Sequence, residues 1–332
     1  MNSGFVIFRD PVISKKIQGW RGEFANFSEP FVSDKSTFFI QAWDKKTPVS
    51  GLNVVEKTDD KNLLKLWFRE CNLVAEFQNK EISQSEFEQF ILFSKTAIAQ
   101  GDFEKIVAAR NRIQKNEIEE IESCFYALCT AYPDAFISLI SHPNWGTWIG
   151  ASPELLLHWK NNTGETVALA GTLVKPEDSW TSKEEKEQHT IADFLHQVFQ
   201  KFKIENVTEA EKLEVKQGAL THIAQKFHFP LAQKSIGDFL MEIHPTPAVG
   251  GFAQKDAIAF IERFENLNRE LFTGWLGWSN ENVFHSWVNL RCAKIGKTEI
   301  QFFAGCGINS GSNAQKEWEE AEAKMAILRN YL

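Results

Sequence analysis

Two carboxylates and an ammonium recur at helical spacing near the end of the chain. Glu317, Glu320 and Lys324 stand at i, i+3 and i+7 in the run Glu317-Trp318-Glu319-Glu320-Ala321-Glu322-Ala323-Lys324. At about 100° per residue they fall within roughly one sixth of a helix's circumference. Trp318, Ala321, Met325 and Leu328 make the neighbouring apolar stripe, which would pack inward. A second pair, Glu184 and Glu187, stands at i, i+3 where another helix begins. A few oxygen donors of this kind suit Mg2+, which keeps waters and takes further oxygens from a substrate. Each pair also has a plain alternative. Acidic residues favour a helix N-terminus through its dipole, and a Glu-Lys pair on a solvated face supports a helix by about 0.2–0.5 kcal/mol.

Two further groups could move protons. A strand is predicted over Phe103-Glu104-Lys105-Ile106-Val107-Ala108-Ala109-Arg110, after a helix over 84–101 that Gly101 ends. Lys105 shares a face with Phe103, and Ile106 lies opposite. A desolvated lysine can lose its proton and act as a base; the alternative is an edge lysine that blunts aggregation. Ser152-Pro153-Glu154-Leu155-Leu156-Leu157 reads as a turn and then an apolar strand. An apolar setting raises a carboxyl pKa and suits Glu154 to general-acid work; a surface glutamate at a strand start is the alternative. Arg291, between Leu290 and Cys292 on a predicted strand, would be a fixed fork for a carboxylate. His222 is a lone histidine in a mixed stretch, a type more often structural than catalytic.

The elements that must position these groups are legible in outline. Gly305-Cys306-Gly307-Ile308 reads as a turn feeding the acidic helix. In His244-Pro245-Thr246-Pro247-Ala248-Val249-Gly250-Gly251, two prolines and two glycines fix a rigid, irregular loop, which opens a helix from about 254 to 270. Residues 167–172 form a strand ending in small residues, where a ligand could approach the backbone. Residues 117–131 read as a helix and 135–140 as a strand. Residues 282–294 and 299–304 read as an antiparallel hairpin turning at Gly296-Lys297. Residues 1–94 carry apolar runs (5–8, 37–40 and 63–68) but no chemistry, and are expected to complete a sheet.

Composition bounds the function. With 332 residues the chain makes one large or two ordinary domains. The 28 Phe and 11 Trp against 3 Tyr imply a large aromatic core. A net charge of -8 argues against a nucleic-acid partner, and a small anion would need a metal or local cations. Five cysteines without a Cys-x-x-Cys favour a reducing compartment and no zinc site. No apolar run approaches the roughly 18 residues of a membrane span, and no signal pattern opens the chain. A cytoplasmic location without membrane contact is expected.

From about 103 to 329 the chain resembles the chorismate-utilising enzymes: isochorismate, salicylate, anthranilate and aminodeoxychorismate synthases, the first most of all. The resemblance rests on Lys105-Ile106-Val107 with Arg110, Ser152-Pro153-Glu154-Leu155-Leu156, Ala168-Leu169-Ala170-Gly171-Thr172, Lys183-Glu184 with Glu187, His222, the 244–251 loop, Arg291, Ala304-Gly305-Cys306-Gly307-Ile308, and Glu317-Trp318 with Glu320 and Lys324. Each segment is weak alone; together, in the family's order, they are specific.

The resemblance implies a single α+β domain over 1–332: two packed antiparallel β-sheets with outer helices, a shortened, divergent 1–94 and a catalytic core over 95–332. It implies chorismate as substrate and Mg2+ as cofactor; a monomer is expected. Lys105 matches the base that activates water, which adds at C2 of chorismate, and Glu154 the acid that protonates the departing 4-hydroxyl. Glu187 and Glu320 match the Mg2+ carboxylates, with Glu184 and Glu317 in support. His222, Ala248, Arg291, Gly305, Cys306, Gly307 and Lys324 match groups around the substrate. Lysine at 105 favours water over ammonia as nucleophile. Ala248 stands where the lyase and aminating members usually carry Thr, which favours release of isochorismate over its onward elimination to salicylate. Two departures stand out: Gln188 replaces the family's usual His, and Ala321 its usual Thr. A non-catalytic chorismate-binding protein is the remaining alternative, and the intact acid, base and metal set argues against it.

Overall fold

Phe5-Val6-Ile7-Phe8 is buried on both faces, as a strand sandwiched between two layers must be. These residues form β1 (Ser3–Arg9) in a computed structural model of the chain. The structure describes residues 2–332 except 14, 28–30, 33–34, 174–179, 181 and 218–219; side chains at 172, 182–186, 217 and 220 also lie outside the described residues. After β1 come β2 (Gln18–Asn26), β3 (Thr37–Gln41), β4 (Ser50–Thr58), α1 (Lys61–Arg69) and α2 (Gln84–Gln100). Then follow β5 (Lys105–Lys115), α3 (Ile121–Ala131), β6 (Phe136–His142), β7 (Gly146–Ser152), β8 (Leu155–Lys160), β9 (Thr163–Leu173) and α4 (Ser182–Lys201). Next are β10 (Thr208–Glu209), β11 (Leu213–Gln217), β12 (Leu220–Pro230), α5 (Ile236–Ile243), β13 (Gly251–Phe252) and α6 (Gln254–Phe264). Last come β14 (Trp275–Asn280), β15 (Val283–Val288), β16 (Cys292–Ile295), β17 (Glu299–Ile308) and α7 (Ala314–Arg329).

The strands make two antiparallel layers. One runs β12-β9-β8-β15-β14-β3-β4. The other runs β2-β1-β6-β7-β16-β17-β5-β13. Aromatic side chains fill the space between them. Phe8 of β1 meets Phe38 of β3 at 5.4 Å and Trp278 of β14 at 6.3 Å, and Phe136 of β6 stacks on Trp287 of β15 at 5.7 Å. Each such pair contributes about 0.5–1.5 kcal/mol beyond its buried area. A second core lies outside the first layer, where Phe199 of α4 and Phe239 of α5 pack on Phe229 of β12 at 4.8 and 5.0 Å. The expected α+β architecture is thus observed. No helix among the described residues is long and apolar enough to cross a membrane.

The two layers are not separate sheets. β4 pairs with β3 on one edge and with β2 on the other, so a single network of ladders passes from layer to layer through the N-terminal strands. Residues 1–94 therefore do more than extend a sheet: they join its two halves.

Five local expectations are corrected. The helix expected over 117–131 begins at Ile121. The helix expected over 254–270 stops at Phe264, because Glu265 turns to extended geometry (φ -81°, ψ 123°) to bond Arg269 and the Ala109 amide. The hairpin is β16–β17 alone; β15 pairs instead with β14 and β8. Arg291 lies on no strand: with φ 46° it sits where the chain crosses from β15 in one layer to β16 in the other. Gly305-Cys306-Gly307 is no turn but the end of β17, paired with β5.

Candidate active site

Strand ends and one loop converge on a single cleft, with about 950 Å3 of empty space including its mouth. Lys105 enters from the start of β5, Glu154 from the β7–β8 turn, Glu187 from the first turns of α4, and His222 from β12. Ala248 comes from the loop before β13, Arg291 from the layer crossover, Gly305 and Gly307 from β17, and Glu320 and Lys324 from α7.

Backbone bareness at Gly307 is a requirement. A Cβ there would stand 2.9 Å from Glu187 Oε1 and 2.9 Å from Lys105 Cε, so a side chain would displace both. Alternation along β17 sends Gly305 and Gly307 to the cleft and Cys306 away from it. The Cys306 thiol is buried and donates to the Glu317 carbonyl at 3.1 Å. Cys306 therefore does not line the cleft, unlike Gly305 and Gly307 on either side of it.

Glu154 is buried, and burial pushes its carboxyl up to about 7 against the partial opposition of Lys105, Thr246, Lys324 and Arg291. Thr246 Oγ1 lies 3.5 Å from Glu154 Oε1. Backbone ties hold the acid in place: its carbonyl accepts from the Val288 amide at 2.9 Å, and the Ser152 hydroxyl donates to the Val288 carbonyl. The outcome is an acid that keeps its proton up to about pH 7, in the same cleft as Lys105 and Lys324.

His222 is held neutral, since burial first and then Arg291 push its pKa down to about 3. Its Nδ1 donates to the Gly171 carbonyl at 2.8 Å, leaving Nε2 as an acceptor. Arg291 Nη2 donates to that Nε2 at 2.8 Å. Burial lowers the Arg291 pKa to about 10, so the guanidinium remains charged at neutral pH.

Lys324 Nζ lies 2.7 Å from Glu320 Oε1 and donates to the Gly305 carbonyl at 2.9 Å. Burial pulls its pKa down, but Glu320, Cys306 and Glu187 together raise it well above the usual lysine range. Glu187 and Glu320 thus reach the cleft from two helices, with the Lys324 cation paired to Glu320. Glu317 is buried behind; one of its carboxylate oxygens, one of Glu320 and the Cys306 sulfur lie within 4.8 Å of one another. The side chain of Glu184 lies outside the described residues.

The donor set fits a hard divalent cation. The cations Arg291 and Lys324 face the carboxylates Glu187 and Glu320 in a cleft that Lys105 and Glu154 also line. Those charges leave no surplus for a dianion, and a divalent ion held by Glu187 and Glu320 would supply one. Of the departures, Gln188 is buried and donates to Gln225 Oε1 at 3.1 Å, and Ala321 is buried in the core; neither lines the cleft.

Several residues escaped the sequence reading. Thr246 beside Glu154 lay in a quoted motif without a role, and Phe272, Thr273, Leu290 and Phe303 line the cleft as ordinary core-type residues. Glu265 and Arg269, which tie the cleft walls together, carried no motif.

A buried acid, a nearby ammonium and paired carboxylates on an α+β sandwich define an acid–base enzyme for a small anion. The chain belongs to the family of chorismate binding enzymes, whose sequence profile matches residues 54–332. It is 27% identical over 262 residues to isochorismate synthase EntC of Escherichia coli strain K12, covering 74% of this chain and 67% of that protein. It is 28% identical over 302 residues to isochorismate synthase MenF of Pasteurella multocida strain Pm70, covering 85% and 67%. In three dimensions it matches the menaquinone-specific isochorismate synthase MenF of Escherichia coli with a TM-score of 0.82 at 19% identity, over 99% of this chain and 88% of that one. Anthranilate synthase component I of Streptococcus pneumoniae TIGR4 matches with a TM-score of 0.72 at 15% identity, over 98% and 90%.

Proposed function

We propose that this chain is an isochorismate synthase, an isomerase that adds water at C2 of chorismate and expels the 4-hydroxyl. The observation that carries this is Glu154, kept protonated by burial to about pH 7 in the same cleft as Lys105. Lys105 takes a proton from water, and the oxygen bonds to C2. The ring double bonds shift, the C4–O bond breaks, and Glu154 gives its proton to the departing oxygen, which leaves as water. One water enters and one leaves, so the net change is an isomerisation. Arg291, oriented by His222, and Lys324 are assigned to the substrate's carboxylates. Mg2+ held by Glu187 and Glu320, with Glu184 and Glu317 behind them, would supply Lewis-acid charge to the ring carboxylate.

We also infer a single domain over 1–332 that acts as a monomer in the cytoplasm, with chorismate as its partner. The passage of both layers through β2 and β4 supports the single domain.

Chromatography of chorismate incubated with the purified protein tests the assignment. Isochorismate should form with Mg2+ and cease on exhaustive chelation. Turnover that survives chelation, or that is unchanged in Glu320→Gln, contradicts the metal assignment. An amino-substituted product with ammonia contradicts water as the nucleophile.

A further inference from the structure

β5 carries Lys105 and lies near the margin of its layer. β17 pairs with it along one side from Ile106 to Lys115. On the other side, among the described residues, β13 pairs opposite Lys105 and Ile106 only, and the Val107 amide reaches the Gly250 carbonyl at 3.0 Å. The next two polar groups on that side are the Val107 carbonyl and the Ala109 amide, and side chains serve them in place of a strand. Arg269 Nη2 donates to the Val107 carbonyl at 2.7 Å, and the Ala109 amide donates to Glu265 Oε2 at 2.9 Å. The two side chains bind each other twice, Nε to Oε1 at 2.6 Å and Nη2 to Oε2 at 2.7 Å. Arg269 Nη1 goes on to the Val249 carbonyl at 2.9 Å. The guanidinium carbon lies 4.2 Å from the Trp43 ring centroid, and the pair's side chains are 1% and 4% exposed.

A buried ion pair is weak evidence for stability, because desolvation offsets the attraction between its charges. Its geometry is the informative part. A planar fork of five donors can hold a carboxylate and carbonyls from two different elements at once, which a point-charge ammonium cannot. Val107 and Val249 both line the cleft. Val249 belongs to the loop that brings Thr246 against Glu154 and places Ala248 in the wall.

We propose that Arg269, locked by Glu265, is a positioning residue for this cleft. Its fork sets the separation between the strand that carries Lys105 and the loop that bears on Glu154, so that base and acid reach the same ring. This rests on the function assigned to the cleft above. Small displacements of reacting groups cost rate steeply, of the order of 10²-fold for about 1 Å.

The test is a cycle of Arg269→Lys, Lys105→Ala and the double variant, with chorismate and Mg2+. Arg269→Lys keeps the charge beside Glu265 but not the fork; Glu265→Asp, shorter by one methylene, is the second route to the same perturbation. For folded Arg269→Lys, kcat should fall by about tenfold or more while the chorismate dissociation constant, measured by calorimetry, moves by less than about threefold. In the Lys105→Ala background the same change should alter the residual rate by less than about threefold, since a group that acts through Lys105 has nothing left to position. Equal losses in both backgrounds, or a kcat within about twofold of wild type, would overturn the proposal. In the wild-type protein the Ala109 amide should exchange as slowly as ladder amides of β5; free exchange there would also overturn it. Absence of chorismate turnover in the wild type would overturn the assigned function instead, and the Ala109 exchange would then decide the clamp alone.

Discussion

Arg291 Nη2 donates to His222 Nε2 at 2.8 Å, so the histidine serves as an acceptor and the arginine as a fork already aimed. The relationship holds only for a neutral imidazole, and burial with Arg291 nearby keeps His222 neutral down to about pH 3. The pair turns a lone histidine into an orienting group for substrate binding. His222→Phe should raise the KM for chorismate by about tenfold, the scale of a lost hydrogen bond to a charged group, with a smaller change in kcat. The His222 ring nitrogens should keep neutral-imidazole NMR shifts between pH 8 and pH 5; a protonated ring in that range would contradict a neutral His222. The lowered pKa also has a sign for stability. The folded state binds fewer protons than the unfolded one between about 3 and 6.5, so this contribution is present above 6.5 and is lost as pH falls.

Glu154 predicts the opposite sign. Burial raises its pKa from 4.5 to about 7, so the folded state binds more protons across that window. Its contribution to stability is complete below 4.5 and is lost as pH rises through about 7. Activity should follow the same proton, with kcat/KM falling on the alkaline side of about pH 7. Glu154→Gln should lose about 10²–10⁴-fold in kcat and gain stability relative to wild type as pH rises through neutrality. Denaturation midpoints at pH 5 and pH 8 for both proteins check this. An unchanged gap between them would contradict a buried, protonated Glu154.

Lys105→Ala should fold normally. Ile106 packs in the core, whereas the end of Lys105 reaches the cleft beside Gly307. Turnover should fall by about 10²–10⁴-fold, the range for loss of a general base. A folded variant with near-normal kcat would remove Lys105 from the chemistry.

Ala248 lines the cleft with no side-chain donor. Ala248→Thr should hold isochorismate longer and raise the salicylate fraction. One added hydrogen bond is worth about 1 kcal/mol, and about 1.4 kcal/mol shifts partitioning tenfold, so a rise of about fivefold is expected. Product chromatography of both proteins checks it; unchanged partitioning would remove residue 248 from the explanation.

Site residues that carry charge at fixed spacing were legible in the sequence. Glu320 and Lys324 share a helix face because 3.6 residues per turn dictate it, and both reach the cleft. What the sequence did not yield was non-local. Arg291 reads as one position in an alternating strand, yet the crossover between layers places it at φ 46°, and only the pairing of β15 with β8 and β14 reveals the crossover. Gly305 and Gly307 suggested a turn by composition, but the bareness of Gly307 serves the close approach of Glu187 and Lys105. Arg269 and Glu265 left no motif because their partners, apart from each other, are mostly backbone groups, which every residue carries. The joining of the layers through β2 and β4 was likewise hidden, since register follows from pairing across the whole chain.

Mass spectrometry of the product formed in oxygen-18 water is the most direct measurement. If Lys105 activates solvent and Glu154 expels the original hydroxyl, chorismate with Mg2+ should yield isochorismate carrying one solvent-derived oxygen at C2. Unlabelled isochorismate would mean that the hydroxyl migrates without leaving. Salicylate as the main enzymatic product, or no conversion at all, would contradict the assignment of this chain as an isochorismate synthase.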